Sequence, residues 1–193
     1  MRSLDALESS LIVPRRFTLE EYRRLLHVGV LGEDEHVELL EGLIVDMAPQ
    51  GRPHALVISR MSESFMAARR PDCRVRVQLP LSLGTDSEPE PDLAVVTREE
   101  EEHAQEHPST ALLVVEVAVD SLRVDRMLKG RLYARAGIPE YWVVDVAGRA
   151  VEVYIAPDTS QGRYLGIRTV AAGEPLGSPA LPGLALQVAE LFA

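Results

Sequence analysis

The chain contains one lysine and one cysteine, and it has no long apolar run. Cys73 cannot form an intrachain disulfide, so a reducing, cytoplasmic location is expected. No segment approaches the roughly 18 consecutive apolar residues that a membrane-spanning helix requires. The N-terminal residues also lack the pattern of a secretory signal. We therefore expect a soluble, cytoplasmic protein that has no membrane partner.

Positive charge is also scarce, because the formal net charge is -10. This argues against a protein that coats nucleic acid through its overall charge, since phosphate binding depends on positive residues. The charge is unevenly distributed along the chain. Residues 99–106, EEEEHAQE, carry five acids and are predicted to form a solvated loop. Residues 121–137 instead have a local charge of +4, since five basic residues stand against one aspartate.

Length and composition favour one domain. The 193 residues are 46% apolar, which is enough for a sizeable core. We expect a single domain over residues 1–193, in which residues 1–15 form an N-terminal extension.

Three helices are expected. Thr18 and Glu21 form a capping-box pattern, which predicts a helix over about residues 18–27. Pro53 opens a second helix that ends before Pro71. Its predicted buried face consists of Leu56, Val57, Met61, Phe65 and Met66. An arginine-rich helix is expected over residues 121–136, followed by Gly137 as its C-cap.

The remaining segments read as strands. HVELLEGLIVDMAP is predicted to form a β-hairpin about Glu41 and Gly42. VRVQLPLSLG, PDLAVV, ALLVVEVAV, EYWVVDV and AVEVYIA are five further strands, and GRYLGIRTVAAGEPL is predicted to form another strand pair. ALLVVEVAV is apolar enough to lie at the centre of a sheet. The pattern predicts an α/β domain with a mixed sheet and hairpins at both ends.

Two carboxylates stand where the sequence predicts buried strands. Glu116 lies within ALLVVEVAV, so its carboxylate must be paired, protonated or bound to a metal. Asp92 opens the preceding strand directly after Pro91. If the two strands are neighbours, the carboxylates converge, and an all-oxygen pair suits Mg²⁺ or Mn²⁺. The alternatives are a structural salt bridge for Glu116 and a turn-capping role for Asp92.

Lys129 is the exception among the basic residues, since the other nineteen of the twenty are arginine. Ser121, Asp125, Lys129 and Tyr133 are spaced by four, which places them along one stripe of the predicted helix. Helical side chains lean toward the N-terminus, so the ammonium can reach the level of Glu116 on the preceding strand. There it can direct a water molecule or bind a phosphate oxygen. The alternative is a surface ion pair with Asp125.

Other catalytic patterns have little support. Among the five histidines, only His103 and His107 have helical spacing for a zinc site, and they fall in the acidic run, where we interpret them as solvated. The chain has no Walker loop, no dinucleotide fingerprint and no GxSxG motif.

Together these residues resemble the PD-(D/E)XK nuclease superfamily, and more closely the Uma-type family of bacterial proteins described as putative restriction endonucleases. The resemblance extends over about residues 16–192. It rests on VELLEG at 37–42, His54, PDLAVV at 91–96, VVEV at 114–117, D-x-x-x-K-x-x-x-Y at 125–133 and AGIPEYWVVD at 136–145.

The resemblance implies a restriction endonuclease-like fold, in which a mixed sheet is flanked by helices and carries additional β-hairpins. It implies that Asp92 and Glu116 bind the metal ion and that Glu38 supplies an additional acid. Glu41 competes with Glu38 for this role. The catalytic lysine of the superfamily normally stands two residues after the glutamate, at the position of Ala118. Lys129 therefore resembles an equivalent lysine that is supplied from the following helix.

The implied activity is metal-dependent hydrolysis of phosphodiester bonds in DNA. Asp125, His54 and Tyr133 are candidate supporting residues. The alternatives are a satisfied helix histidine for His54 and a core or scaffold role for Tyr133. Arg123 and Arg126 are candidates for contact with the nucleic-acid backbone. The alternative is a catalytically silent protein that keeps the fold for nucleic-acid binding or assembly. A homodimer or higher homo-oligomer is also expected by analogy.

Overall fold

The computed structural model describes residues 13–32 and 34–193. Its helices are α1 Leu19–His27, α2 Arg52–Ala68, α3 Arg98–His103, the continuous α4 (Leu122–Val124, Asp125–Lys129 and Gly130–Arg135) and α5 Val188–Leu191. Its strands are β1 Val37–Leu40, β2 Leu43–Asp46, β3 Cys73–Val77, β4 Leu93–Thr97, β5 Leu113–Ala118, β6 Glu140–Asp145, β7 Ala150–Asp158, β8 Arg163–Ala171, β9 Pro175–Ser178 and β10 Leu181–Gln187. Most of the predicted N-terminal extension, residues 1–12, lies outside the described residues.

The main sheet has six strands in the order β3-β4-β5-β6-β7-β8. Strands β5 and β6 are parallel, and the other neighbouring pairs are antiparallel. Every residue of β5 is buried, which fits its predicted central place. Two additional hairpins, β1–β2 and β9–β10, flank this sheet. The expected α/β fold with a mixed sheet, flanking helices and extra hairpins is therefore confirmed.

Each face of the sheet has its own hydrophobic core. On one face α2 packs through Phe65, whose ring meets Trp142 edge-on at 5.8 Å. On the other face α4 packs through Tyr133, whose ring lies 5.0 Å from that of Tyr141. Side chains alternate along a strand, so Glu116 shares the α4 face with its neighbours two residues away. A carboxylate is thus placed directly beneath the arginine-rich helix.

Helix α1 forms as predicted. The Thr18 side chain accepts a hydrogen bond from the Glu21 backbone N–H at 3.2 Å, and the Glu21 side chain accepts one from the Thr18 N–H at 3.0 Å. Both halves of the capping box are therefore present.

The predicted buried face of α2 is partly wrong. Val57, Met61 and Phe65 are buried as expected. Leu56 is 39% exposed and Met66 is 49% exposed. Because the contact with the sheet follows a ridge of residues four apart, these two side chains rotate away from it, and Ile58 is buried instead.

The acidic segment 99–106 was predicted to be a solvated loop, and this is wrong for its first half. Residues from Arg98 to His103 form α3, which Thr97 caps by accepting a hydrogen bond from the Glu100 N–H at 3.1 Å. Glu101 lies 2.6 Å from the buried guanidinium of Arg76. Acidic residues in the first turn of a helix are favoured by its dipole, which explains why this charge run becomes helical.

Two strand predictions also change. The strand expected over VRVQLPLSLG ends at Val77, because Gln78 adopts a left-handed backbone with φ of 50°. The two strands of GRYLGIRTVAAGEPL do not pair with each other. Instead β8 pairs with β7 and β9 pairs with β10, so this segment connects the main sheet to the last hairpin.

Among the helices of the described residues, none combines the length and the apolar character needed to cross a membrane.

Candidate active site

Glu38 reaches the sheet because its hairpin is attached to the segment that precedes β4. Leu39 forms an isolated β-bridge with Glu88. This contact brings Glu38 next to Glu90, whose backbone N–H donates to Glu38 Oε2 at 3.2 Å. Glu38 is 5% exposed.

Asp92 connects two strands and one helix. Its Oδ2 accepts a hydrogen bond from the backbone N–H of Val117 in β5 at 2.7 Å. The same oxygen lies 3.1 Å from Nε2 of His54 in α2. These contacts fix the carboxylate beside the C-terminal part of β5, close to the backbone that carries Glu116.

Glu116 is buried between the sheet and α4. Its Oε1 accepts a hydrogen bond from the Tyr133 hydroxyl at 2.6 Å. The same oxygen lies 3.1 Å from Nζ of Lys129. Both partners come from α4, so the strand and the helix contribute to one polar cluster within an otherwise apolar layer.

Lys129 points inward. Its Nζ lies 3.2 Å from Glu38 Oε1 as well as 3.1 Å from Glu116 Oε1. In the described part of the chain its ion pairs are with these two carboxylates and not with Asp125, so the surface ion pair does not form. One ammonium group thus joins acids from two separate strands.

The part of α4 that carries Lys129 is a turn of π-helix. The π-helical residues are Asp125–Lys129, and the Gly130 N–H donates to the Asp125 carbonyl. The Tyr141 hydroxyl on β6 also donates to that carbonyl, at 3.1 Å. A π-helical turn widens the helix by one residue and occurs frequently at functional sites. Asp125 and Lys129 stand at the two ends of this turn and are both buried, while the rest of α4 is α-helical.

Asp125 is an additional buried acid at the rim of this cluster. It is 3% exposed, and its Oδ2 accepts a hydrogen bond from the Ser121 hydroxyl at 2.6 Å. Burial raises the pKa of Asp125, whereas the Ser121 hydroxyl and the Lys129 ammonium act to lower it.

Burial also controls the protonation of the central pair. It raises the pKa of Glu116 well above its ordinary value, and the Lys129 ammonium opposes this increase. For Lys129, burial alone would lower the pKa, but the carboxylates of Glu116 and Glu38 raise it above its ordinary value. We conclude that Lys129 stays protonated and acts as a fixed positive charge.

These side chains line a cavity of about 270 Å³. Its walls also include His54, Asp125 and the half-buried Glu90, whose pKa is raised by burial and by the nearby Glu38. Six acidic residues therefore face a space that contains one lysine. An excess of negative charge at a partly enclosed site favours the binding of a cation.

The donor set fits Mg²⁺ better than zinc. The described residues contain no cluster of three or more His, Cys, Asp or Glu side chains arranged to hold an ion. Within the same residues, the hydrogen bonds to Asp92 and Glu116 engage Oδ2 and Oε1, which leaves Oδ1 and Oε2 for a ligand. Mg²⁺ is commonly held by one or two carboxylates and keeps several waters, so two such oxygens are sufficient.

Other candidate residues lie away from this cavity. Glu41 pairs with Arg131 at 2.6 Å and with Arg135 at 2.9 Å, so its carboxylate is engaged on the outer side of α4. Both candidate nucleic-acid contacts, Arg123 and Arg126, are exposed, and Arg126 donates to Glu152 at 2.9 Å.

Glu90 was missed by the sequence reasoning. It stands two residues before Asp92, in a loop where several acids alternate with prolines. A pattern search finds Asp92 because a strand follows it. Nothing local distinguishes Glu90 from the other acids of this loop until Glu38 accepts its backbone N–H.

The comparisons with known proteins identify the fold and the family. Among solved structures, the chain is similar to a "putative nuclease belonging to DUF820" from Anabaena variabilis ATCC 29413, with a TM-score of 0.70 and 18% identity over 91% of this chain and 97% of that chain. At this identity the likeness establishes the fold alone. A search of curated proteins found no significant match. The Uma2 family model, described as "Putative restriction endonuclease", matches residues 19–189. Since the match spans most of the sequence, the chain belongs to the Uma2 family of putative restriction endonucleases.

Proposed function

We propose that the protein is a metal-dependent endonuclease that hydrolyses phosphodiester bonds of DNA and uses Mg²⁺ or Mn²⁺. Membership of the nuclease family supports the reaction class. The observation that carries the proposal is the position of Lys129 Nζ, which lies within 3.2 Å of carboxylates from two strands. Asp92 lines the same cavity. Acids and one lysine around a cation site match the resemblance to the PD-(D/E)XK superfamily.

Asp92 and Glu116 would hold the metal ion through Oδ1 and Oε2. When bound, Mg²⁺ supplies Lewis-acid polarisation of a phosphate and a lower pKa for an attacking water molecule. His54 and the Val117 N–H keep Asp92 oriented through its other oxygen. Tyr133 does the same for Glu116. Both carboxylates are therefore held in place before a ligand arrives.

Lys129 would provide the positive charge at the reacting phosphate. Its ammonium is held by Glu38 and Glu116 at the wall of the cavity, where it would meet a phosphate oxygen or the attacking water. A fixed charge placed where negative charge develops lowers the barrier without reorganisation. Glu38 keeps the ammonium in position, and it remains available to accept a proton from the water.

Contact with the nucleic acid must rely on local charge, since the net charge is -10. Arg123 is exposed at the start of α4 and is the best candidate for a phosphate contact. Arg126 could join it only by exchanging its ion pair with Glu152. We also propose a homodimer, because two active sites are needed to cut both strands in one encounter.

The second candidate is a catalytically silent member of the family that binds nucleic acid or mediates assembly. Two observations favour it: the large negative charge, and Ala118 in the position where the superfamily normally carries its lysine. It predicts no cleavage under any metal condition.

Cleavage of supercoiled plasmid distinguishes the two functions. Wild type is expected to nick or cut the plasmid with Mg²⁺ or Mn²⁺ but not with EDTA. Glu116→Gln is expected to lose at least about 100-fold in rate, because it removes a metal ligand and a charge from the reacting centre. The matched control is Glu63→Gln on the exposed side of α2, which should keep the wild-type rate. An inactive wild type on duplex, single-stranded and branched substrates would favour the silent candidate.

A further inference from the structure

A second cavity, of about 500 Å³, adjoins the active-site cavity. Met47, Ala48, Gln50 and Glu90 line both spaces. The two cavities are therefore neighbours that share part of their lining. A polynucleotide whose phosphate occupies the first cavity would place an adjacent nucleotide at the second.

Gln78 lines this second cavity in a strained backbone conformation. Its φ of 50° lies in the left-handed region, which side chains other than glycine rarely adopt. Its backbone N–H donates to the Asp92 carbonyl at 3.1 Å, directly after the paired residues Val77 and Leu93. Strain of this kind persists where the surrounding structure requires it and is frequent at ligand sites. The backbone bond fixes Gln78 relative to the proposed metal ligand.

The polar groups of the second cavity suit a flat, neutral ligand that carries N–H donors. Gln50 and Gln78 each offer an amide with donors and an acceptor, and Glu90 adds carboxyl oxygens. No hydrogen bond from the described residues engages the two glutamine side chains. Met47 and Pro49 supply apolar surface for stacking. Glu90 repels phosphate, and His36 is the single basic side chain among the described residues that line this cavity, so a base is favoured over the backbone in this space.

We propose that the second cavity receives a nucleobase next to the scissile phosphate, and that Gln50, Gln78 and Glu90 select bases with an exocyclic amino group over thymine. This inference rests on the proposed nuclease function. A carboxyl group accepts hydrogen bonds from the amino group of cytosine, and glutamine pairs with adenine. Thymine presents carbonyl oxygens in place of that amino group, so it would leave Glu90 facing another acceptor.

Sequencing of the ends produced from a duplex library with a randomised segment tests the proposal. Thymine is expected to be depleted about tenfold at one position beside the cut by the wild type. Gln78→Gly removes the side chain and suits the left-handed backbone, and Gln50→Ala alters an exposed loop residue. Each should reduce the depletion to less than about twofold. The matched control Gln161→Ala, an exposed residue of the β7–β8 turn, should keep the wild-type depletion.

The outcomes separate the two proposals. Thermal unfolding first establishes that both variants are folded. Efficient cleavage by the wild type without depletion of thymine, or with depletion that is unchanged in both variants, overturns the base-selecting role and leaves the nuclease intact. Loss of most cleavage by the variants, with no change in the bases at the residual cuts, also overturns selection. No cleavage by the wild type with Mg²⁺ or Mn²⁺ overturns the proposed function and this inference together.

Discussion

Lys129 places one ammonium group between two buried carboxylates, and this arrangement determines how the site responds to pH. Burial raises the pKa of Glu116 above its ordinary value of 4.5. The folded state therefore binds this proton more tightly than the unfolded state does. Stability consequently falls as the pH rises from the ordinary pKa toward the raised one. In the wild type, the charge of Lys129 counteracts this fall.

Lys129→Met should expose this pH dependence. Without the ammonium, the pKa of Glu116 rises further, so the fall in the free energy of unfolding, with a slope of up to about 1.4 kcal/mol per pH unit, should extend to higher pH than in the wild type. Urea unfolding at several pH values measures this. Arg123→Met, an exposed change on the same helix, should follow the wild type. A Lys129→Met curve parallel to that of the wild type would show that Lys129 does not compensate the buried acid.

Tyr133→Phe tests how Glu116 is positioned. The change leaves Oε1 of the buried carboxylate without its hydroxyl donor, which should cost about 1–3 kcal/mol in the free energy of unfolding. It should also lower kcat in plasmid cleavage. Tyr164→Phe removes a buried hydrogen bond to the Ile138 carbonyl, remote from the site, and should reduce stability alone. If both variants cleave at equal rates, Tyr133 only stabilises the fold.

Among the elements of the fold, the π-helical turn Asp125–Lys129 gives α4 one residue more than an α-helical turn would hold. The residues before and after it are α-helical, so one extra residue in the turn decides which side chains face β5. Asp125 and Lys129 both face inward, whereas Met127 between them is 63% exposed.

Deletion of Met127 should convert the turn to regular α-helix without rotating the α-helical segments on either side, because a π-helical turn accommodates one residue more than an α-helical turn. Lys129 would then stand three residues after Asp125, and the two side chains would not both keep their places at the cavity, so cleavage should be reduced while the helical content measured by circular dichroism is kept. Met127→Ala retains the length of the turn and should cleave as the wild type does. A deletion variant with full activity would show that the π-helical turn has no role in the site.

Much of the fold follows from local signals that agree with one another. The capping box at Thr18 and the apolar β5 each predict their element, because a single interaction dominates each of them. The mutual approach of Glu116 and Lys129 follows from strand alternation and the lean of helical side chains. The π-helical turn has no comparable signal, since the sequence DRMLK suits an α-helix equally well.

Positions that are determined by long-range contacts could not be predicted from the sequence. Glu38 and Glu41 belong to one hairpin, and only the packing of α4 shows that Glu41 pairs with Arg131 and Arg135 on the outer side. The left-handed backbone at Gln78, which ends β3 early, likewise depends on its contact with Asp92.

The whole molecule combines a net charge of -10 with a fold similar to that of a protein described as a nuclease. The acids of α3 lie in a short helix beside β3, where Glu101 pairs with Arg76, so part of the excess charge is compensated within the fold. The acids of the cavity serve cation binding in our proposal. The remaining negative charge of the protein repels DNA. We therefore expect the protein to associate slowly with DNA at low concentrations of divalent cation.

We propose that Lys129, supplied from α4, takes the place of the lysine that the superfamily normally carries at the position of Ala118. Mg²⁺-dependent cleavage of one linear DNA duplex by wild type and Lys129→Ala, measured under single-turnover conditions, tests it most directly. We expect the rate of Lys129→Ala to fall by at least about 100-fold, while Arg123→Ala retains most of the activity at saturating protein. Equal rates for wild type and a folded Lys129→Ala would contradict it.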